Sequence, residues 1–173
     1  TEHDVRVLEL AALKGLFTDI TEDPVTYVNA PVFAGDRGVG VRLLTDPESE
    51  EYRNSVTLRG TMADGTRTEV SGTLTGPRHV EKLVGIDGLD LEVVISEHMA
   101  VFRYEDRPGI VGKVGRLLGE ADINIAGMQV SRDQRGGHAL AVLTVDGPIP
   151  PAVLDEIARG IGAEQVRQVD LRE

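Results

Sequence analysis

Residues that can bind a small charged ligand lie where a predicted strand gives way to a helix. Asp106 and Gly109 occupy this turn, within segment 102–111, and Pro108 stands near the first position of the predicted helix. The first backbone N–H groups of a helix lack internal acceptors and carry the positive end of its dipole, so they favour a carboxylate. Gly109 leaves room for a ligand beside that backbone, and Asp106 supplies a negative charge for an ammonium group.

Asn124 completes the expected site. It follows the predicted helix after a short loop and opens the next strand, so we expect it at the same edge of the sheet as Asp106. Its side-chain amide both donates and accepts hydrogen bonds. Together these groups suit a zwitterionic small amino acid. They also suit a purely structural role, in which Asp106 only complements the helix dipole, worth about 0.3–1 kcal/mol, and Gly109 and Asn124 only shape turns.

The rest of the sequence predicts neither a catalytic site nor a metal site. Gly38-Val39-Gly40 begins a glycine-rich pattern that is incomplete and precedes a strand, so it does not predict a dinucleotide site. The four histidines stand alone, with no second histidine at ligand spacing, and the chain has no cysteine. We therefore expect no metal, no cofactor and no thiol chemistry in this chain.

Length and charge narrow the classes of protein. The 173 residues allow one large domain or two small ones. A net charge of −11 argues against nucleic acid or an anionic membrane as a partner, because phosphates need clustered Lys and Arg. The absence of cysteine, of a secretory signal and of a long apolar run fits a cytoplasmic protein. The start at Thr1 indicates a piece of a longer chain.

Residues 1–95 predict two helices covering a mainly antiparallel sheet. An apolar stripe from Val5 to Phe17 marks the first helix, and Asp23-Pro24 marks the start of a second helix over about 24–35. Period-two alternation then predicts strands, beginning with Val39, Val41 and Leu43. Further strands are expected around the turns Asp64-Gly65 and Asp87-Gly88.

Residues 96–173 predict the order β-α-β-β-α-β of a ferredoxin-like fold. Strands are expected at 98–104, 123–131, 138–145 and 166–171, with helices from Pro108 to Gly119 and from Pro150 to Gly160. Right-handed crossovers place both helices on one face of this sheet. The other face then needs a cover, which is either another copy of the chain or the first half.

Four segments of the sequence resemble a known family. Segments 104–112 and 121–126 resemble an ACT domain, in particular the ACT domain of the long-form D-3-phosphoglycerate dehydrogenases, and segments 25–31 and 70–77 resemble the intervening domain of the same family. The resemblance implies an α+β fold of two domains. Residues 1–95 form an α/β intervening domain with a mainly antiparallel sheet, and residues 96–173 form a ferredoxin-like βαββαβ ACT domain.

The resemblance also implies a function for the pair of domains. ACT domains of the family pair side by side and bind L-serine at their interface, and by position the contacts fall on Tyr104, Asp106, Gly109, Ile110 and Asn124. The NAD-dependent catalytic domains are then expected upstream, so that this chain regulates an enzyme without catalysing the reaction. We expect a homo-oligomer joined through both domains.

A second site and three alternatives follow from the same comparison of residues. Lys82 matches a basic position that some relatives use for an anion, and Arg78 lies nearby. Leu89 and Val94 stand at other such positions and cannot bind an anion. Another amino acid, such as a branched one, is an alternative effector if a hydrophobic cavity lies beside Ile110 and Ile125. A purely structural assembly module is the next alternative. A dehydratase-type protein that needs cysteines for an iron–sulfur cluster is excluded by their absence.

Overall fold

The computed structural model of the chain describes residues 5–18, 20–46 and 52–171. They belong to two compact units, Thr1–Arg53 and Asn54–Glu173. Thr1, from which the sequence predicts a longer chain, lies outside the described residues. Within the described ranges, no helix has both the length and the apolar character needed to cross a membrane.

The first unit contains two helices. The first, α1 (Arg6–Thr18), confirms the helix predicted from the apolar stripe, and the second is α2 (Ala30–Asp36). Their small shared core consists of Leu13, Phe17, Ala30 and Ala34. The rings of Phe17 and Phe33 lie 6.3 Å apart, which is the distance of an ordinary aromatic pair.

The predicted start of the second helix at Pro24 is wrong. The Thr26 amide donates to Asn29 Oδ1 at 2.7 Å, and the Asn29 amide donates to Thr26 Oγ1 at 3.2 Å. These two bonds satisfy the backbone within a turn, so the helix starts only after Asn29. Pro31, which has no N–H, then occupies the first turn, where that group is not needed.

The alternation of Val39, Val41 and Leu43 does not produce a strand. Their side chains are 36%, 43% and 37% exposed, and no strand of the described residues pairs with this segment. Alternation predicts a strand only where a neighbouring strand accepts the backbone hydrogen bonds.

The second unit begins with a four-stranded antiparallel sheet, here called the first sheet. Its strands follow the chain in order: β1 (Val56–Thr61), β2 (Arg67–Thr75), β3 (Val80–Ile86) and β4 (Leu89–Val94). Both predicted hairpin turns are confirmed. Gly65 has φ of +84° and Gly88 has φ of +78°, values that favour glycine.

The second sheet has the order β6-β7-β5-β8, and all of its neighbouring strands are antiparallel. Its elements are β5 (His98–Glu105), α3 (Ile110–Glu120), β6 (Ile125–Arg132), β7 (His138–Val145), α4 (Pro151–Ile161) and β8 (Gln165–Asp170). This is the predicted ferredoxin-like fold. The helices pack on one face over a core that includes Phe102, Tyr104, Leu118 and Ile157.

The other face of the second sheet is covered by the first sheet. Leu91 and Val93 of β4 pack against Leu140 and Val142 of β7. Cross-strand register explains the contact, because residues 140 and 142 point away from the helices while 139, 141 and 143 point towards them. The sequence leaves two possible covers for this face, another copy of the chain or its first half. In the structure, a sheet from the first half covers the face.

Candidate functional site at the end of β5

Tyr104 lies near the end of β5 and faces the helices. Its side chain is 2% exposed and belongs to the core beneath α3 and α4. Burial, and secondly the negative charge of Asp106, raise the pKa of the Tyr104 hydroxyl. The phenol therefore stays neutral at physiological pH and keeps its hydroxyl hydrogen as a donor.

Asp106 is the charged group of the site, and the β6–β7 turn holds it in place. Its Oδ2 atom accepts hydrogen bonds from Arg132 Nη1 at 2.9 Å and from the Gly136 amide at 3.3 Å. Its own amide donates to the Gly137 carbonyl at 2.7 Å. The hydrogen bonds from Arg132 and Gly136 lower the pKa of the Asp106 carboxyl, with the charge of Arg135 adding to the effect. Asp106 is therefore ionised at neutral pH and can attract an ammonium group.

Gly109 and Ile110 form the start of α3. Gly109 is the N-cap residue with φ of +91°, and no side chain caps this helix. The first intrahelical bond runs from the Lys113 amide to the Gly109 carbonyl at 3.0 Å, so the preceding amides have no acceptor within the helix. The Ile110 side chain is 6% exposed in the core, which leaves only its backbone amide for a ligand.

The expectation that Asn124 lies at the same edge as Asp106 is wrong within one chain. Asn124 precedes β6, and Ile125 pairs with Val145, whereas Tyr104 pairs with Ala139 at the other end of β7. The reason is topological: α3 runs back along the sheet, so β6 starts at the edge where β5 starts. At about 3.4 Å per residue, the two edges are on the order of 20 Å apart.

At its own edge, Asn124 is tied to the residue that follows β7. Its Nδ2 atom donates to Asp146 Oδ2 at 2.8 Å, and the Asp146 amide donates to the Asn124 carbonyl at 3.2 Å. The side-chain oxygen of Asn124 remains available as an acceptor.

Arg132 and Gly136 contact Asp106, and the sequence prediction did not include them. The residue spacing alone gave no signal for them, but the predicted strand order did. In a βαββαβ sheet, the β6–β7 turn lies at the edge where β5 ends, because β6 runs parallel to β5. Any polar residue at the end of β6 is therefore a neighbour of Asp106.

The predicted anion residues lie on the first sheet. Lys82 Nζ pairs with Glu92 Oε2 at 2.9 Å across β3 and β4, and Arg78 lies in the exposed turn before β3. Because Glu92 already neutralises Lys82, an anion has to compete with this carboxylate. The site stays a prediction. Among the described residues, no group of three or more His, Cys, Asp or Glu side chains is placed to hold a metal ion.

Comparison with known proteins matches two family models to successive parts of the sequence. A family model described as D-3-phosphoglycerate dehydrogenase intervening domain matches residues 1–87, and one described as ACT domain matches residues 98–159. The predicted boundary at Ser96 falls between these matches and stays a prediction.

Proteins that match nearly the whole chain share one name. Proteins named D-3-phosphoglycerate dehydrogenase from Mycobacterium leprae and Mycobacterium tuberculosis are 39% and 41% identical to the chain over 168 residues, which is 97% of its length. One from Archaeoglobus fulgidus is 34% identical over 163 residues. The chain spans about a third of the length of these relatives: 32%, 32% and 30% respectively.

A solved structure titled as a novel type of quorum quenching acylase, GqqA, aligns with a TM-score of 0.35 and 20% identity, over 45% of this chain and 31% of that one. That likeness is too weak to bear on function. The two family models, matched in this order to the two halves of the sequence, show that the chain belongs to the D-3-phosphoglycerate dehydrogenase family and carries its intervening domain followed by an ACT domain.

Proposed function

We propose that the chain is the regulatory part of an NAD-dependent D-3-phosphoglycerate dehydrogenase and that it binds L-serine between two ACT domains to inhibit the enzyme. The observation that carries the proposal is the Asp106 carboxylate, which Arg132 and Gly136 hold in the short segment that leads into the first turn of α3. A negative charge next to free amides is complementary to a zwitterion, because it offers one partner to each of the ligand's two charges.

The pose that follows uses each group once. The ammonium group of L-serine binds Asp106, and its carboxylate accepts from the backbone amides that follow Gly109. The Tyr104 hydroxyl lies at the same end of the strand. The serine hydroxyl then needs a group that both donates and accepts, which is the chemistry of an asparagine side chain.

A second copy of the chain brings that asparagine to the site. β6 and β8 are the two edge strands of the second sheet, and β6 ends at Arg132, which contacts Asp106. We therefore expect side-by-side pairing of two ACT domains through β6. If a two-fold axis relates two antiparallel β6 strands, the start of one strand lies beside the end of the other. Asn124 of the partner subunit then approaches Asp106. Asp106 and Asn124 lie far apart within one chain, as expected if each site takes Asp106 from one subunit and Asn124 from the other.

The reaction itself belongs to other parts of the enzyme. A dinucleotide site needs a glycine-rich turn between a strand and a helix. Gly38-Val39-Gly40 instead follows the helix α2 and precedes residues that form neither a helix nor a strand. We therefore assign NAD to the catalytic domains and not to this segment. The effector acts by its different affinity for two arrangements of the domains, a coupling of about 1–3 kcal/mol in typical allosteric proteins.

Calorimetric titration with L-serine tests the proposal. We expect Asp106→Ala and Asn124→Ala each to weaken binding by about tenfold or more, since each removes a polar or charged partner. Asp133→Ala is the matched control, because this carboxylate lies in the same β6–β7 turn and accepts from the Gln134 amide instead. Unchanged affinity in both site variants contradicts the proposed site.

Mixing the two variants tests the interface. A dimer of one Asp106→Ala chain and one Asn124→Ala chain has one doubly altered site and one intact site, so random mixing restores about a quarter of the sites. A site formed within one chain is never restored. Competition between L-serine and branched amino acids tests the alternative effector. A mass measurement by light scattering with and without L-serine distinguishes an effector site from a purely structural assembly.

A further inference from the structure

Arg132, at the end of β6, forms an ion pair with the charged group of the proposed site, its Nη1 atom lying 2.9 Å from Asp106 Oδ2. We propose that Arg132 is an effector-binding residue that recognises the α-carboxylate of the ligand and so makes the site selective for zwitterions over simple amines. This inference rests on the proposed function and adds a specificity determinant to it.

The position of Arg132 follows from the register of the second sheet. Arg132 and Tyr104 both pair with Ala139, one from each side, so the three residues form a row across the sheet on its helix-facing side. The side chain of Arg132 is 54% exposed and reaches past the end of β5 to Asp106. About half of the side chain is therefore accessible to a ligand in the single chain.

Within the described part of the chain, Arg132 uses only one of its guanidinium nitrogens for a hydrogen bond. A guanidinium group has five N–H donors, and the contact with Asp106 engages Nη1. Asp106 likewise uses Oδ2 for both of its side-chain hydrogen bonds. The pair thus presents free N–H groups and a free carboxylate oxygen side by side.

A zwitterion is complementary to this ion pair. It carries an ammonium and a carboxylate on one carbon atom, so it can lie head to tail against the protein pair, with ammonium on Asp106 and carboxylate on Arg132. The carboxylate oxygens keep further lone pairs for the helix amides that follow Gly109. A guanidinium binds a carboxylate through two parallel hydrogen bonds, whereas the helix amides supply only partial charges. Without Arg132, the carboxylate of the ligand is repelled by Asp106 at close range.

The nearest arginine in sequence cannot take this role. Arg107 follows Asp106 directly, but its Nη2 atom donates to the Ile161 carbonyl at 2.7 Å at the end of α4. The guanidinium is committed to that helix end, where a side chain at Gly162 would also collide with it. Arg132 is therefore the guanidinium that the fold delivers to Asp106.

A structural role is the rival explanation, since Arg132 also ties the end of β6 to the segment after β5. The two roles differ in how they respond to the ligand. If Arg132 only holds the site together, its loss weakens every ligand alike. If it binds the carboxylate, its loss weakens only ligands that have one.

The experiment compares L-serine with L-serinamide, which keeps the ammonium and hydroxyl groups but lacks the carboxylate. Titrations are run at about pH 6.5, below the usual α-amino pKa of roughly 7.7, with the full chain and with Arg132→Gln and Arg132→Lys. Arg116→Gln is the control, because Arg116 is an exposed arginine of α3 paired with Glu120.

We expect Arg132→Gln to weaken L-serine binding by about 10- to 100-fold and L-serinamide binding by less than about threefold. Arg132→Lys falls between, because an ammonium cannot bind bidentately. Equal losses for both ligands, or no loss for either, overturn the role of Arg132 while leaving the proposed function intact. If the parent chain binds no L-serine, the proposed function fails and this inference fails with it. A thermal melt of each variant confirms that it is folded.

Discussion

The carboxylate of Asp106 links the stability of the chain to its chemistry. Hydrogen bonds from Arg132 and Gly136 favour its ionised form and lower its pKa. The folded state is therefore stabilised at any pH above the unfolded pKa of about 3.9, and this stabilisation is lost as the pH falls through the lower folded value.

The pH dependence of Asp106→Asn tests this linkage. We expect the melting temperature of the variant to lie below that of the parent chain by a constant amount from about pH 7 to pH 5, and the gap to close below about pH 4. Thermal melts across this range measure it. Asp155→Asn, on an exposed position of α4, gives the background for loss of a surface carboxylate. A gap that persists undiminished to about pH 2 contradicts the linkage.

Glycine is needed at position 109 because of its backbone conformation, not because neighbouring atoms exclude a side chain. A Cβ atom at Gly109 would meet nothing within 4 Å, but φ is +91°. An L-residue with a side chain is strained in this region by about 1–2 kcal/mol.

Gly109→Ala is therefore expected to lower the free energy of unfolding by about 1–2 kcal/mol, as measured by urea denaturation. Gly112→Ala is the matched control: it lies in the first turn of the same helix, also with nothing within 4 Å, and its φ is not positive. This control is expected to be neutral or stabilising by up to about 1 kcal/mol. If both variants lose the same stability, backbone strain is not the cause.

The side chain of Asp87 connects the turn between β3 and β4 to two other strands, β2 and β5. Asp87 Oδ1 accepts from Thr68 Oγ1 at 2.9 Å and from the Glu69 amide at 2.8 Å, which ties the turn to β2. Its Oδ2 atom accepts from Arg103 Nη2 of β5 at 2.6 Å. Arg103 directly precedes Tyr104, so this ion pair connects the first sheet to the strand that carries the proposed site.

A double-mutant cycle on Asp87 and Arg103 measures that connection. Both side chains are 24% exposed, so their pair is less screened than a surface one. We expect Asp87→Asn and Arg103→Met to show a coupling of about 0.5–1.5 kcal/mol in unfolding free energy. Asparagine suits the positive φ of +49° at position 87, so the backbone is preserved. The pair Arg116–Glu120, with both side chains more than half exposed, is the control and is expected to couple by about 0.3–0.5 kcal/mol. Equal coupling in both pairs contradicts the special role of Asp87.

The sequence predicts an element well where its residues carry the signal themselves. The period-two strands around Asp64-Gly65 and Asp87-Gly88, and all six elements of the ferredoxin-like fold, depend on local alternation and turns. The start of α2 depended on a side-chain exchange between Thr26 and Asn29 that competes with Pro24 as a helix start. The strand expected at residues 39–43 needed a partner that no local pattern supplies.

The candidate site shows the same division. Asp106 and Gly109 are neighbours in sequence, and the structure brings them together. The edge at which Asn124 lies depends on the direction of β6, which follows from the strand order and not from a short loop. Arg132 was missed for the same reason, since it meets Asp106 only through the pairing of two strands with β7.

The packing of the two sheets is a property of residues 54–171 as a whole. Leu91 and Val93 on the first sheet and Leu140 and Val142 on the second form one buried cluster. Each sheet thus completes the core of the other, although the intervening-domain model matches β1 to β3 and the ACT model matches β5 to β7. We infer that the two sheets unfold together, because neither buries its apolar face alone.

Leu91→Ala tests this cooperativity. The side chain is 3% exposed, so its truncation is expected to cost about 2–4 kcal/mol of unfolding free energy, whereas Leu58→Ala on β1, at 52% exposure, costs less than about 0.5 kcal/mol. Hydrogen exchange should then show amides of β2 and β7 losing protection by the same amount in Leu91→Ala, although the change lies only in the first sheet. If β7 keeps the protection of the parent chain while β2 loses it, the sheets are independent. The effector site would then have to communicate with the catalytic domains without the first sheet.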